Sequence, residues 1–277
     1  MFPISADFQA ACIGLTGIKR AMYRGSCYVV GSTAPTNYTD APSYCTHLPA
    51  YTPATSVGQL LLWTGQQGLR EWIRRMLIGW GWGDVTMWTS ASRAIPAPSP
   101  GYPAVGSDAE WYWDFVGNRY GPFPLRSSGH DDLWAAYPFP QDTIHTGACV
   151  TWFQGSWYWG PAVYGVSNQK CFSPSWNPRT VCEYRSKKRA YRRSKSDERA
   201  VSALVFANRT HNHRIECIAA CRNNWVCASV AYNAITKDCR LQLTDSSTNE
   251  TLTQTYFEAA IGYQMYEVDD AFEVILT

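Results

Sequence analysis

The sequence predicts an α+β fold that is held together by disulfide bonds, and three observations support this prediction. The chain of 277 residues has ten cysteines, an even number. It is also rich in aromatic residues, with 13 Trp and 17 Tyr, and short runs of aromatic and β-branched residues indicate strands. A few stretches have helical features, one of them with clear helical periodicity. Because few residues are charged, the chain can bury a sizeable core.

The ten cysteines are compatible with either an oxidising or a reducing cellular compartment. In an oxidising one they can form five disulfides, and in a reducing one they can be zinc ligands or free thiols. Three Asn-X-Thr triplets begin at Asn37, Asn208 and Asn249, all in polar surroundings where a glycan acceptor must lie. Cysteines and triplets together favour a secreted or extracellular-surface glycoprotein. No window reaches the roughly 18 apolar residues of a membrane span, and Met1–Ile4 do not begin a signal peptide.

The first elements are predicted in chain order. Residues 12–30 read as a β-hairpin that Cys12 and Cys27 could staple. A helix is expected from Asp40, since Asp is a good N-cap and the following Ala-Pro suits a first turn. It would carry three residues inward: Tyr44, Cys45 and Leu48.

The clearest helix is predicted over residues 68–80. Its apolar residues form one stripe, which favours a core-facing helix over a membrane-surface helix: Leu69, Trp72, Ile73, Met76, Leu77 and Trp80. The Gly-rich stretch 79–84 follows this helix and precedes a strand at 85–89. A phosphate-binding loop needs the opposite order, so a helix C-cap and turn is expected.

The middle of the chain is expected to be mostly loop over residues 94–148, with many Pro and Gly. Because it also keeps large aromatic residues, we expect a packed and functional loop. Strands are predicted at 150–153 and 157–159.

The net charge of +2 conceals a basic run at 185–199. This run has eight Lys or Arg and two acidic residues, which leaves 16 basic and 20 acidic residues elsewhere. The excess of positive charge is therefore confined to one short segment, and no nucleic-acid-binding face is expected. Three interpretations remain open: a solvated linker, a strip that binds anionic glycans or membranes, and a dibasic processing site. The candidate anion-binding residues are Lys187, Lys188, Arg189, Arg192 and Arg193.

A second unit follows the basic run. Strands are predicted at 201–206, 226–232, 239–243 and 260–268, and a helix over 214–223. Cys217 and Cys221 are four residues apart, on one face of that helix.

The order of cysteines and tryptophans in residues 12–184 resembles the C-type lectin-like domain in its long form. The matching stretches include GSCYVV at 25–30, APSYC at 41–45, WYWDFVG at 111–117, GACV at 147–150 and TVCE at 180–183. The resemblance implies two helices, antiparallel sheets and a long loop. It also implies three disulfides: Cys12–Cys27, Cys45–Cys182 and Cys149–Cys171.

Residues 200–277 resemble a PAN/apple domain through ECIAACRNNWVCASVAYN and the following DCRL. The resemblance implies a helix on a small antiparallel sheet, with the disulfides Cys217–Cys239 and Cys221–Cys227. A zinc site is the alternative, since His211 and His213 stand close to the first two of these cysteines. The disulfides are favoured. We therefore expect a C-type lectin-like domain at 1–184, a basic linker at 185–199 and a PAN/apple domain at 200–277.

Known catalytic signatures are absent. The chain has no Gly-X-Ser-X-Gly elbow and no His-Glu-X-X-His, and the disulfides would leave no thiol nucleophile. We expect no enzymatic activity.

Calcium is disfavoured by the residues at the two positions that supply its oxygen ligands in sugar-binding lectins of the resembled family. Phe139-Pro140-Gln141 and Val166-Ser167-Asn168 stand there, and they lack the carboxylates that Ca²⁺ prefers. No cofactor is therefore expected. Aromatic and polar side chains could still bind a partner without metal. The candidate ligand-binding residues are Tyr137, Phe139, Gln141, Asp142, Trp157 and Asn168, while Trp113, Trp134 and Trp159 are assigned to the core.

Two functions of different classes are consistent with these features. The favoured one is an extracellular, non-enzymatic module that engages protein or glycan partners without calcium. The alternative is a calcium-dependent carbohydrate-binding lectin. Binding of heparin or another anionic polysaccharide through the basic run is a further, less favoured hypothesis.

Overall fold

The computed structural model describes fifteen segments of the chain: residues 6–30, 37–47, 58–61, 67–82, 85–93, 111–115, 118–123, 149–156, 162–169, 178–186, 191–201, 205–224, 227–242, 257–268 and 274–276. Within these segments there are helices at Ala6–Gly14 (α1), Ala41–His47 (α2), Gln67–Gly79 (α3) and Arg214–Arg222 (α4). The described strands form three antiparallel sheets, each of five strands. The architecture is α+β, as predicted.

The first sheet has the order β15-β1-β2-β9-β3. Its strands are Lys19–Tyr23 (β1), Ser26–Val30 (β2), Gly58–Leu60 (β3), Cys182–Arg185 (β9) and Val274–Leu276 (β15). Arg24 and Gly25 both have positive φ, which suits the two-residue turn of the β1–β2 hairpin. The prediction of a hairpin over 12–30 was too long, because Cys12 lies on α1 and only 19–30 form the hairpin.

Two disulfides close this part of the molecule. Cys12 on α1 is bonded to Cys27 on β2, and Cys45 on α2 is bonded to Cys182 on β9. All four cysteines are buried in one apolar cluster with residues such as Met22 and Tyr184. Both pairs are those that the resemblance implied.

Helix α3 buries the predicted apolar stripe where the structure describes its side chains. Trp72, Ile73, Met76 and Leu77 are fully buried, whereas the intervening arginines are exposed. The ring of Trp72 stacks on Tyr23 of β1 with centroids 4.9 Å apart, which docks the helix on the first sheet.

The glycines after α3 end the helix, as expected. Gly81 has φ +75°, and its N–H donates to the carbonyl of Ile78 while the Trp82 N–H donates to the carbonyl of Leu77. This pair of hydrogen bonds is a Schellman motif.

The middle sheet has the order β6-β5-β4-β7-β8. Its strands are Val85–Arg93 (β4), Trp111–Phe115 (β5), Asn118–Phe123 (β6), Cys149–Ser156 (β7) and Ala162–Gln169 (β8). Strands β5, β6 and β8 were not predicted. Residues 94–148 therefore contain a hairpin within the stretch expected to be loop. The strand expected at 157–159 lies outside the described residues.

The third sheet has the order β10-β14-β12-β13-β11. Its strands are Tyr191–Ala200 (β10), Val205–Thr210 (β11), Ser229–Asn233 (β12), Asp238–Gln242 (β13) and Phe257–Val268 (β14). Helix α4 is stapled to this sheet by Cys217–Cys239, and Cys221–Cys227 closes the segment after it. These pairs are again the implied ones. The strand expected at 201–206 lies later, at β11.

The linker predicted over 185–199 was wrong for most of its length. Residues from Tyr191 onward form β10, which pairs with β14 along the edge of the third sheet. Two basic side chains face acids directly across this ladder, Arg192 opposite Glu267 and Arg199 opposite Glu258. An edge strand with charged faces lacks an apolar alternation, which explains why sequence periodicity missed it.

The C-terminal segment also departs from the predicted boundary. Strand β15 leaves the third sheet and pairs with β1, with Arg20 opposite Leu276 and Met22 opposite Val274. Residues 274–276 therefore belong to the first sheet, although they lie within the range predicted for the second domain.

Candidate functional site

The predicted ligand-binding loop lies almost entirely outside the described residues. This applies to Tyr137, Phe139, Gln141, Asp142 and Trp157. Asn168 is on β8, where its backbone is opposite Val150 of β7. The structure therefore positions one of the six candidates, on a regular strand.

The base of that loop is tied by Cys149, which begins β7 and is fully buried. Cys149 is disulfide-bonded. Cys171 lies outside the described residues, so the bond between these two cysteines stays a prediction.

The described acceptor asparagines are Asn37 and Asn208. Asn208 is exposed on β11, an edge strand of the third sheet, so a glycan there would meet solvent. Asn37 is half-buried, and Asn249 lies outside the described residues.

The zinc alternative fails on the chemistry of its ligands. Cys217 and Cys221 are both in disulfides, so neither can supply the thiolate that zinc requires. His211 instead lies beside Glu216, with 3.7 Å between its Nδ1 and the carboxylate. This four-residue set is not a metal site.

Most of the basic residues that the structure describes in the run at 185–199 are paired with carboxylates. Arg192 pairs with Glu267 at 3.2 Å, Lys195 with Glu198 at 2.7 Å and Arg199 with Glu258 at 2.6 Å. Arg193 is exposed, and the described residues place no carboxylate within ion-pair distance of it. Lys187, Lys188 and Arg189 lie outside the described residues. Of the predicted anion-binding residues that the structure positions, Arg193 alone keeps its charge available.

A second cluster of charges surrounds Tyr263 on β14. The guanidinium groups of Arg199 and Arg240 lie 5.3 and 5.5 Å from the centre of its ring. Its hydroxyl donates a short hydrogen bond to Asp238, which also accepts one from Arg240 at 2.8 Å. This cluster was not predictable from the sequence, because its members come from three different strands.

The hydrogen bonds of this cluster change the acidity of Asp238. Partial burial alone would raise the pKa of this carboxyl, but the hydrogen bonds from Tyr263 and Arg240 and the positive charges of Arg240 and Arg199 outweigh burial. The pKa of Asp238 is therefore below its usual value. Partial burial and the bond to Asp238 raise the pKa of Tyr263, so its hydroxyl stays protonated as the donor.

No described helix is both long enough and apolar enough to cross a membrane.

A family model for the PAN domain matches residues 182–267. The match includes β10, α4 and both disulfides of the second unit, and it confirms the PAN/apple part of the sequence interpretation. It begins at Cys182, before the predicted boundary at 200, and residues 1–181 lie outside it. A search of the curated proteins finds no match. PAN domains are non-catalytic extracellular modules that bind proteins or carbohydrates, and their disulfides are typical of extracellular proteins.

Proposed function

We propose that this protein is a secreted, non-enzymatic glycoprotein that engages protein or glycan partners outside the cell without requiring calcium. The observation that carries this proposal is the PAN-domain match over a unit stapled by two disulfides. Such a unit is stable only where thiols are oxidised, which supports an extracellular location. The exposed acceptor Asn208 supports glycosylation.

For residues 1–184 we propose a C-type lectin-like domain as the second binding module. Support comes from the two helices α2 and α3 and from the disulfides Cys12–Cys27 and Cys45–Cys182. The proposed contact surface is the long loop and its base: Tyr137, Phe139, Gln141, Asp142, Trp157 and Asn168.

Independence from calcium is proposed on the donor chemistry of this loop. Ca²⁺ takes six to eight oxygen ligands and prefers carboxylates. Phe139 and the triplet at 166–168 offer none, and Asp142 supplies a single charge. A set of mostly neutral oxygens would hold the ion weakly, so aromatic and amide contacts are left to bind the partner.

Two experiments test the proposal. In the first, a glycan array is probed with the purified glycoprotein, with and without EDTA. In the second, binding partners are captured from extracellular fluid. We expect binding to a glycan or a protein that EDTA does not change. Binding of a simple sugar that EDTA abolishes would contradict the metal-free mechanism and favour a calcium-dependent lectin. A hydrolytic activity that copurifies with the chain through every step would contradict the non-enzymatic assignment.

A further inference from the structure

Two cationic side chains lie near the ring of Trp82, just beyond the end of α3. The Lys19 ammonium and the Arg179 guanidinium are each 5.6 Å from the centre of its indole ring. Trp80 lies edge-on to Trp82, with centroids 5.5 Å apart. Trp82 is half-buried and Arg179 is exposed, so solvent reaches the cluster.

The backbone holds each member of this cluster in place. The Trp82 N–H donates to the Leu77 carbonyl in the Schellman motif. Arg179 is bound on both sides to β4, since its N–H donates to Thr86 at 2.7 Å and its carbonyl accepts from Trp88 at 2.9 Å. Lys19 begins β1. The backbone positions of these three residues are therefore fixed before a ligand binds, so little ordering is needed on binding.

Neither cation is neutralised within the described residues. The Lys19 ammonium donates to the Trp80 carbonyl at 2.6 Å, which uses one of its three donors. No described carboxylate lies within ion-pair distance of Lys19 or Arg179. By contrast, three basic side chains of β10 are paired with glutamates. Two positive charges without a described carboxylate partner therefore lie at Trp82, whereas most of the described basic residues of the run at 185–199 are paired.

The spacing and the charge balance favour a small anion. Because both cations lie 5.6 Å from one ring centre, they are at most about 11 Å apart. Outside residues 185–199 the chain has more acidic than basic residues, 20 against 16, so its overall charge there does not favour a long polyanion. The indole adds an apolar surface of the kind on which sugar rings pack through their C–H groups.

We propose that Lys19, Arg179 and Trp82 form a binding site for an acidic sugar unit. The carboxylate or sulfate of the sugar pairs with the two cations, and its ring lies against the indole of Trp82. This inference rests on the proposed function, since it specifies the glycan that the binding module takes and assigns its binding to residues other than those of the long loop.

Titration of the full glycoprotein with 3′-sialyllactose, with a sulfated lactose and with neutral lactose tests the site. Heats of binding and tryptophan fluorescence are the measurements. We expect at least one of the acidic sugars to bind and lactose not to bind. Substituting Arg179→Gln should weaken binding by about ten- to a hundred-fold, the usual effect of losing a hydrogen bond to a charged group. Arg179→Lys should recover part of the affinity because it keeps the charge.

Arg214→Gln is the matched control, because it removes an exposed arginine of α4 that belongs neither to the Trp82 site nor to the basic run. It should leave the affinity unchanged. Arg193→Gln tests the alternative that the sugar binds on β10. Lys19→Gln provides a second variant of the site, and its thermal unfolding should be recorded because Lys19 also binds the Trp80 carbonyl.

Three outcomes would overturn the proposal. Wild-type affinity in both Arg179→Gln and Lys19→Gln would show that the sugar binds elsewhere, and a loss confined to Arg193→Gln would place it on β10. Absence of binding to every acidic sugar would also overturn it. If the protein nevertheless bound a protein partner or a neutral glycan, the proposed function would still be supported.

Discussion

Gly58 occupies a point in the first sheet where no side chain fits. A Cβ atom built there would overlap the backbone carbonyl of Cys45 and the ring of Tyr184. The same carbonyl accepts a hydrogen bond of 3.1 Å from the Tyr184 hydroxyl, and burial raises the pKa of that hydroxyl, so it remains a donor. Helix α2 and strand β9 are thereby joined at one tightly packed contact, next to the Cys45–Cys182 disulfide.

We therefore expect Gly58→Ala to lower the free energy of unfolding by about 1–3 kcal/mol, the usual cost of overpacking. Denaturant unfolding at neutral pH measures this change. Gly14→Ala is the control, since a Cβ at Gly14 meets nothing within 4 Å. Equal losses in the two variants would contradict the packing explanation.

The pKa of Asp238 gives a prediction for acid stability. Because its folded-state pKa is below the unfolded value of about 3.9, the ionised carboxylate stabilises the fold above that pH. This contribution is lost as the pH falls below about 4 and through the folded-state pKa. Tyr263→Phe removes one hydrogen bond to the carboxylate, so the pKa of Asp238 should rise and the acid-induced loss of stability should become smaller. An NMR titration of the Asp238 carboxyl carbon measures the pKa. An unchanged value in Tyr263→Phe would show that the two arginines, Arg240 and Arg199, lower the pKa of Asp238 without help from the Tyr263 hydroxyl.

At the scale of elements, local patterns were sufficient for α2, α3 and α4, but they missed α1 and several strands. Helix α3 was predictable within one residue at each end because its apolar residues recur at helical spacing and Gly81 ends it. Strand β10 was not predictable, because two of its arginines are paired with Glu258 and Glu267, which are 59 and 75 residues later. Pairing between distant segments leaves no periodicity within either of them.

The candidate site was even less predictable. Lys19, Trp82 and Arg179 come from three separate segments, and each has a commonplace local interpretation. The residues that the sequence did single out were recognised through a short motif or a family pattern. Proximity in space could not be recognised in that way.

The Schellman motif after α3 can be tested at Gly81. Its φ of +75° is costly for a residue with a Cβ, so Gly81→Ala should destabilise the protein by about 1–2 kcal/mol. Gly81→Asn should lose less, because Asn tolerates the left-handed conformation better. Thermal unfolding of the wild type and the two variants measures their order of stability. If the Asn variant were less stable than the Ala variant, the left-handed conformation would not be the cause.

At the scale of the whole molecule, the disulfides differ most in the length of chain that they enclose. Cys45–Cys182 spans 137 residues, whereas Cys221–Cys227 spans 6. A long crosslink removes more conformational freedom from the unfolded chain than a short one.

Replacing both cysteines of Cys45–Cys182 by alanine should cost about 5 kcal/mol, against about 2 kcal/mol for the same change at Cys221–Cys227. All four sulfurs are buried, so the cavity effects are similar and the difference reports the enclosed length. Denaturant unfolding of the two double variants measures the difference between their free energies of unfolding. Equal costs would mean that the native contacts of the cysteines, rather than the enclosed length, determine their contribution.

The pairing of β15 with β1 has a consequence for the order in which the chain folds during synthesis. The edge of β1 that receives β15 stays open until residues 274–276 have left the ribosome, about 250 residues after β1 itself. The third sheet has all its strands once residue 268 has emerged, so it can form while the first sheet is still incomplete. A chaperone that shields exposed strand edges would therefore find Lys19–Tyr23 accessible until β15 pairs with it.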